Sequence, residues 1–143
     1  MSDLTTAIKI ACDAHANQTD KAGEPYILHP LRLMYCFNEE SAMITAVLHD
    51  VIEDSHISFD FLESQGFGKV IIEAIKAITK KRDETYTEFI ERLSSNTIAV
   101  KVKIEDLKDN LNLIRLKSIG ERDLERAKKY HKALIYLKAR RLV

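Results

Sequence analysis

The sequence predicts an all-α, single-domain helical bundle, and three observations carry that prediction. Apolar residues recur at three- and four-residue spacing through most of the chain, the rhythm of amphipathic helices. Glycine and proline are scarce, four and two among 143 residues, so few positions would interrupt a helix. No stretch sustains the alternation of apolar and polar residues that marks a half-buried strand. The length suits one hydrophobic core, and 45% hydrophobic with 31% charged residues argues against a disordered or fibrous chain.

Leu4, Ala7, Ile8, Ala11, Cys12 and His15 place a first helix over about 3–16. The turn residues of 17–25, with Gly23 and Pro25 among them, end it. Pro30 suits the first turn of a second helix running from about His29 to Phe37. A third is expected over about 39–54, with Ala42, Met43, Ala46, Val47 and Val51 inward. Ser58 can cap a short helix ending near Gly66 or Gly68, and Val70, Ile71, Ala74, Ile75 and Ile78 mark the next. Thr85 and Glu88 have capping-box spacing for a helix to about Leu93. Asn96 can cap a long helix carrying Ile98, Val102, Asp106, Leu107, Asn110 and Leu113, and Gly120 separates it from a last helix over about 122–140. Without internal repeats or low-complexity segments, 1–143 reads as one domain.

The formal net charge is zero but unevenly spread: residues 1–100 sum to −7 and residues 101–143 to +7. A solvated helix face accounts for the basic third, while a basic helix beside an acidic site would also suit a small polyanion. A nucleic-acid partner is not expected, since such proteins carry a larger overall basic excess. Cys12 and Cys36 are too few for a disulfide framework and read as small core residues in a reducing compartment. The N-terminus lacks a leader pattern, and no apolar run nears the roughly 18 residues that span a bilayer. A cytoplasmic location without membrane contact is expected.

The chemistry concentrates in Ala46-Val-Leu-His49-Asp50-Val-Ile-Glu53-Asp54. On a helix, His49 and Glu53, and Asp50 and Asp54, fall at i,i+4. Four ionisable groups in an apolar stretch are costly to desolvate, and a bound divalent cation is the simplest compensation. His29 before Pro30 and Asp106 in the long helix are further candidate ligands. Two imidazoles and two carboxylates make a mixed N/O set that suits Mn²⁺, Fe²⁺, Co²⁺ or Zn²⁺.

The order His29, His49-Asp50, Asp106 resembles the signature of the HD superfamily of metal-dependent phosphohydrolases. The surrounding text is more specific: Ala14-His15 with Gln18, Lys21-x-Gly23-Glu-Pro-Tyr26-Ile-x-His29-Pro30, Leu48-His-Asp-Val-Ile-Glu-Asp54, Phe67-Gly68, Thr79-Lys80, and Lys103-Ile-x-Asp106-x-x-x-Asn110-Leu111. From about Ala7 to Tyr136 the chain is similar to the hydrolase domain of the RelA/SpoT alarmone family in its stand-alone form, so no synthetase domain is expected. The resemblance implies that His29, His49, Asp50 and Asp106 hold one divalent cation, with Mn²⁺ favoured. It implies a 3′-pyrophosphohydrolase of guanosine tetra- or pentaphosphate. Glu53 would be the general base with Asp54 assisting; two acids ending a helix oppose its macrodipole and need a compensating charge nearby. Lys21, Tyr26, Asn110, Arg126 and Tyr130 match positions that contact a nucleotide substrate in the family.

One departure bears on specificity. Where the family loop often reads Arg-Lys-Ser-Gly, this chain has Asp20-Lys21-Ala22-Gly23, exchanging an arginine that resembles a base-stacking residue for an acid. That keeps an adenine alarmone, or the 2′-phosphate of NADPH, open as substrate. A nucleotide sensor without turnover and a metal-free helical module are the non-enzymatic alternatives.

Overall fold

Caps and local side-chain chemistry set most helix boundaries. In the computed structural model, which describes residues 3–141, α1 spans Leu4–Ala14 and opens on Asp3, whose carboxylate accepts the Thr6 amide at 3.0 Å. Residues 1–2 and 142–143, which the expected single domain also includes, lie outside the described residues. Then come α2 (Leu28–Met34), α3 (Glu40–Leu48) and α4 (Val51–Asp54), followed by α5 (Phe59–Ser64), which Ser58 caps, and α6 (Lys69–Ile78). The expected capping box forms: Thr85 and Glu88 each accept the other's amide at the start of α7 (Tyr86–Leu93). Asn96 caps α8 (Thr97–Asn110), a 3₁₀ turn covers Leu113–Arg115, and α9 takes Glu121–Arg141. The only β pairing among the described residues is an isolated bridge between Thr19 and Pro25.

Three expectations are corrected. The helix expected over 39–54 is two helices, because it breaks at His49-Asp50. Neighbouring residues on a continuous α-helix point about 100° apart; here the His49 amide bonds only to Ala46, at 3.4 Å, and both side chains turn to one side. The long helix stops at Asn110, and Leu113 belongs to the 3₁₀ turn. Cys12 and Cys36 are exposed. Cys12 lies off the Ala7, Ile10, Ala11, Ala14 stripe that α1 buries, and Cys36 follows the end of α2 with its thiol donating to the Arg32 carbonyl at 3.4 Å.

The core centres on α3 and α8. α3 buries Ala42, Ile44, Thr45, Ala46, Val47 and Leu48, and packs against α1, α2, α6 and α8. Such all-round burial explains why its residues are apolar on every face. α8 packs against α2, α3, α6 and α9. His49 and Asp50 therefore sit at the end of one central helix and Asp106 within the other, with His29 on α2 beside both. These are rigid supports for a site. No helix among the described residues is long and apolar enough to cross a membrane.

Candidate metal centre and active-site cavity

The break after α3 and the packing of α2 against α8 bring four side chains to one point. His29 Nε2 lies 2.8 Å from Asp106 Oδ1 and 3.9 Å from Asp50 Oδ2. His49 Nε2 lies 3.0 Å from Asp50 Oδ2 and 3.4 Å from Asp106 Oδ1. Ligand atoms sharing one cation at about 2.1 Å and right angles are roughly 3 Å apart, so these separations fit a common ion. Candidate donor atoms of His29, His49 and Asp50 all lie within 4.8 Å of one another, and Asp106 adjoins this set through the two imidazoles.

The hydrogen bonds fix which imidazole atoms could bind it. His49 Nδ1 lies 2.7 Å from the Ala46 carbonyl, which can only accept, so Nδ1 carries a proton and, in the neutral ring, Nε2 keeps its lone pair. That Nε2 is buried and makes no aligned hydrogen bond, despite its nearness to two carboxylates. A lone pair facing anions is unfavourable unless a cation or proton lies between them, and this is the observation that fits the residues to a metal. His29 Nδ1 likewise faces Asp109 Oδ2 at 2.6 Å, leaving Nε2 toward the cluster. Burial disfavours charge on either ring, yet the hydrogen bonds and charge of Asp50, Asp106 and Asp109 outweigh it and raise both histidines. For Asp106, burial is likewise outweighed, by Lys103 and the two imidazoles, and its carboxyl is held well below the usual range.

All eleven sequence-selected residues line one open cavity of about 580 Å³. Glu53 and Asp54 stand on its wall on α4. Glu53 Oε1 accepts the Lys80 amide at 2.7 Å. Enclosure by the cavity walls, reinforced by Asp50, pushes the Glu53 and Asp54 carboxyls up. The compensating charge expected for this acidic helix end is thus partly a backbone N–H. Lys21 lines the cavity. Tyr26 and Asn110, selected as substrate contacts, touch the cluster itself: Tyr26 donates its hydroxyl to Asp50 Oδ2, and Asn110 Nδ2 donates to Asp106 Oδ1 at 3.1 Å. Arg126 is paired with Asp123, and the Tyr130 ring lies 6.2 Å from that of Tyr86.

Asp20 has work within the loop. Its Oδ1 accepts the amides of Ala22 at 2.9 Å and Glu24 at 3.0 Å, while Gly23 supplies the left-handed turn with φ of 84°. The loop that carries Lys21 and Tyr26 is folded around this carboxylate.

Sequence reasoning gave no role to four groups at the site, although Lys103 stands in one of the quoted motifs. Lys103 Nζ donates to Asp106 Oδ2 at 2.8 Å and lies 5.2 Å from the centre of the Phe89 ring. Tyr86 turns a buried, unpartnered hydroxyl to the cavity, and burial pushes it up to about 12. Lys129 sits 4.7 Å from the Tyr86 ring centre. Asp109, flanked by Arg32 and Arg115, supports His29. A signal existed for two of them: Lys103, Asp106, Asn110 and Asp109 share one stripe of α8 at three- and four-residue spacing.

No protein-family model matches the chain. Among curated proteins it is similar to the guanosine-3′,5′-bis(diphosphate) 3′-pyrophosphohydrolase of Aquifex aeolicus, 26% identical over 124 residues, and to the bifunctional (p)ppGpp synthase/hydrolase SpoT of Escherichia coli, 29% identical over 126 residues. Each alignment covers 78% of this chain and 18% of the relative, so the chain spans about a fifth of their length. A probable guanosine-3′,5′-bis(diphosphate) 3′-pyrophosphohydrolase of Synechocystis is 35% identical over 97 residues, covering 65% of this chain and 13% of that protein. Among solved structures, a metazoan ortholog of SpoT described as hydrolysing ppGpp superposes with a TM-score of 0.79 at 21% identity, covering 96% of this chain and 85% of that one. The chain is therefore similar in sequence to a part of RelA/SpoT-type hydrolases, and its helical fold is that of the metazoan SpoT ortholog.

Proposed function

We propose that this chain is a metal-dependent phosphohydrolase that removes the 3′-pyrophosphate from a guanosine tetra- or pentaphosphate alarmone, with Mn²⁺ as its cation. The observation that carries the reading is the convergence of His29, His49, Asp50 and Asp106 on one point, with Glu53 beside it on the same cavity wall. The named relatives act on this class of substrate, which supports the choice of phosphoester.

His29 and His49 would hold the cation through Nε2, and Asp50 and Asp106 through carboxylate oxygens. Such an ion supplies Lewis acidity toward a phosphoryl oxygen and makes a nearby water more acidic. Glu53 takes the proton of the attacking water, and the Lys80 amide aims its carboxylate. Its raised carboxyl is a stronger base, at neutral pH, than an ordinary glutamate. Water adds at the phosphorus bonded to the ribose 3′ oxygen and that P–O bond breaks; the 3′ oxygen leaves with the electron pair and takes up a proton, so that pyrophosphate and a nucleotide with a free 3′ hydroxyl are released. Asp54 assists Glu53. Lys21, Arg126 and Tyr130 grip the phosphates and nucleoside, while Tyr26 and Asn110 hold Asp50 and Asp106 in position as well as facing substrate.

The test is product identification after metal-stripped, Mn²⁺-reconstituted protein is incubated separately with ppGpp, its adenine counterpart and NADPH, with Glu53→Ala as control. Pyrophosphate from ppGpp, lost in the variant, is the expected result. Pyrophosphate from the adenine compound alone, or orthophosphate from NADPH alone, overturns the guanine assignment and keeps the hydrolase. No turnover of any of the three leaves a sensor role as the better reading.

A further inference from the structure

We infer that Asp109, clamped between Arg32 and Arg115, is a positioning residue that fixes the tautomer and aim of His29 and thereby sets the affinity of the site for its divalent cation. The inference rests on the proposed metal role of His29. Asp109 lies one helical turn after Asp106 on α8, so the same helix presents one carboxylate to each nitrogen of the His29 ring: Asp106 Oδ1 at 2.8 Å from Nε2 and Asp109 Oδ2 at 2.6 Å from Nδ1. An imidazole that binds a cation through Nε2 must keep its proton on Nδ1, and Asp109 is the acceptor for that proton.

The carboxylate is in turn held from two sides. Arg32, one turn along α2 from His29, donates through Nε at 3.0 Å to Oδ1 and through Nη2 at 3.0 Å to Oδ2. Arg115, in the 3₁₀ turn at the cavity rim, donates through Nη1 at 3.1 Å to Oδ1 and through Nη2 at 3.0 Å to the Asp109 carbonyl. Asp109 therefore ties α2, α8 and the rim together behind His29. Two guanidiniums against one carboxylate leave this group with a net positive formal charge. As a source of field it repels a cation; only by orienting His29 can it favour one. The two effects have opposite sign when an arginine is removed, and that separates them.

The experiment is Mn²⁺ titration of the metal-stripped full chain, followed by electron paramagnetic resonance of free Mn²⁺, on wild type, Asp109→Asn, Arg32→Gln and Arg115→Gln. Circular dichroism of each variant checks folding. Loss of such an outer partner weakens metal binding about 10- to 100-fold, and that is expected for Asp109→Asn. Either arginine variant, which retains the Asp109 acceptor but frees it to move, is expected to weaken binding about 3- to 10-fold by the same route. Long-range ¹H–¹⁵N spectra of the Zn²⁺-loaded protein should find the His29 proton on Nδ1 in wild type and a displaced Nδ1 resonance in Asp109→Asn. Unchanged affinity in Asp109→Asn, or tighter binding in the arginine variants, overturns the inference. If Asp109→Asn does not fold, the two arginine variants decide. Wild type that binds no Mn²⁺ instead overturns the metal reading of the site on which the inference depends.

Discussion

Glu84→Gln tests whether a remote ion pair aims the proposed base. Arg92 on α7 donates to Glu84 through Nε at 2.5 Å and Nη2 at 2.9 Å, and to the carbonyls of Lys76 and Thr79 at 3.2 and 2.8 Å. It thereby closes the end of α6 and pins the segment whose Lys80 amide reaches Glu53. The Arg92 hydrogen bond is the main cause holding the Glu84 carboxyl near 2 rather than 4.5, working against burial and helped by the Lys81 amide. The full shift would correspond to roughly 3 kcal/mol, but the Arg92 side chain is 27% exposed, and solvent screening reduces the net contribution to about 1.5 kcal/mol. For a domain of this size that is about 5 °C in Tm. A depressed carboxyl stabilises the fold fully above its unfolded value, here about 4.5, and loses that contribution as pH falls toward about 2. Thermal melts of wild type and Glu84→Gln from pH 7 to pH 2.5 should therefore differ by about 5 °C at neutral pH and converge below pH 4.5. Turnover should drop about 3- to 10-fold as the Glu53 carboxylate loses its fixed orientation. A Tm difference that does not change with pH would refute the electrostatic assignment, and unaltered turnover in a destabilised variant would refute the link to Glu53.

Three further outcomes follow from the geometry. Stripping the divalent cation from protein held at a hundredfold excess over Kd should remove about 2.7 kcal/mol, seen by calorimetry with and without chelator as a fall of roughly 8 °C; an indifferent Tm would exclude a native-state ion. Glu53→Gln should reduce turnover about 10²- to 10⁴-fold while keeping or raising Tm, because a carboxyl whose folded value is raised destabilises the native state once ionised. The acid limb of the wild-type rate profile should accordingly lie above that of an ordinary glutamate, and a lowered Tm in the variant would contradict this environment. Leu62, fully buried on α5 beside α6, should cost about 2–5 kcal/mol when changed to alanine in urea unfolding, with Mn²⁺ affinity retained; loss of affinity would reveal coupling between that corner and the site.

The features legible in the sequence were those written in local chemistry. Thr85 with Glu88, Asn96 and Ser58 cap helices through bonds that span three residues, so spacing alone identifies them. The break at His49-Asp50 was hidden because Ala46, Val47 and Val51 stay in helical phase across it. Its cause is tertiary: Asp50 is held by His49 and by the Tyr26 hydroxyl, from a loop 24 residues earlier. Asp109 and Lys103 were obscured differently. A charged residue on a helix is usually solvated, and only the neighbouring elements, bearing His29, Arg32 and Phe89, make these two inward-facing. The eleven residues selected from pattern and resemblance share one cavity, but Tyr26 and Asn110 touch the candidate ligands as well as the open space.

Both the acidic and the basic part of the chain contribute charges to this cavity. Asp50, Glu53 and Asp54, with Lys21, Arg32 and Lys80, come from the first hundred residues; Arg126 and Lys129, with Asp106 and Asp123, come from the remainder, and Lys103 lies beside Asp106. α8 packs against both α3 and α9 and so joins the two parts of the chain at the cavity. On the proposed function, the cation sits where the lone pairs and carboxylates of His29, His49, Asp50 and Asp106 meet, and the phosphates of the substrate lie toward Arg126 and Lys129. Arg126 is already paired with Asp123, so on the proposed function a bound phosphate would have to compete with that carboxylate, which would favour ligands with enough charge to displace it. A polyphosphorylated nucleotide meets that requirement better than a single phosphate ester, because it offers one group to the cation while another takes up Arg126.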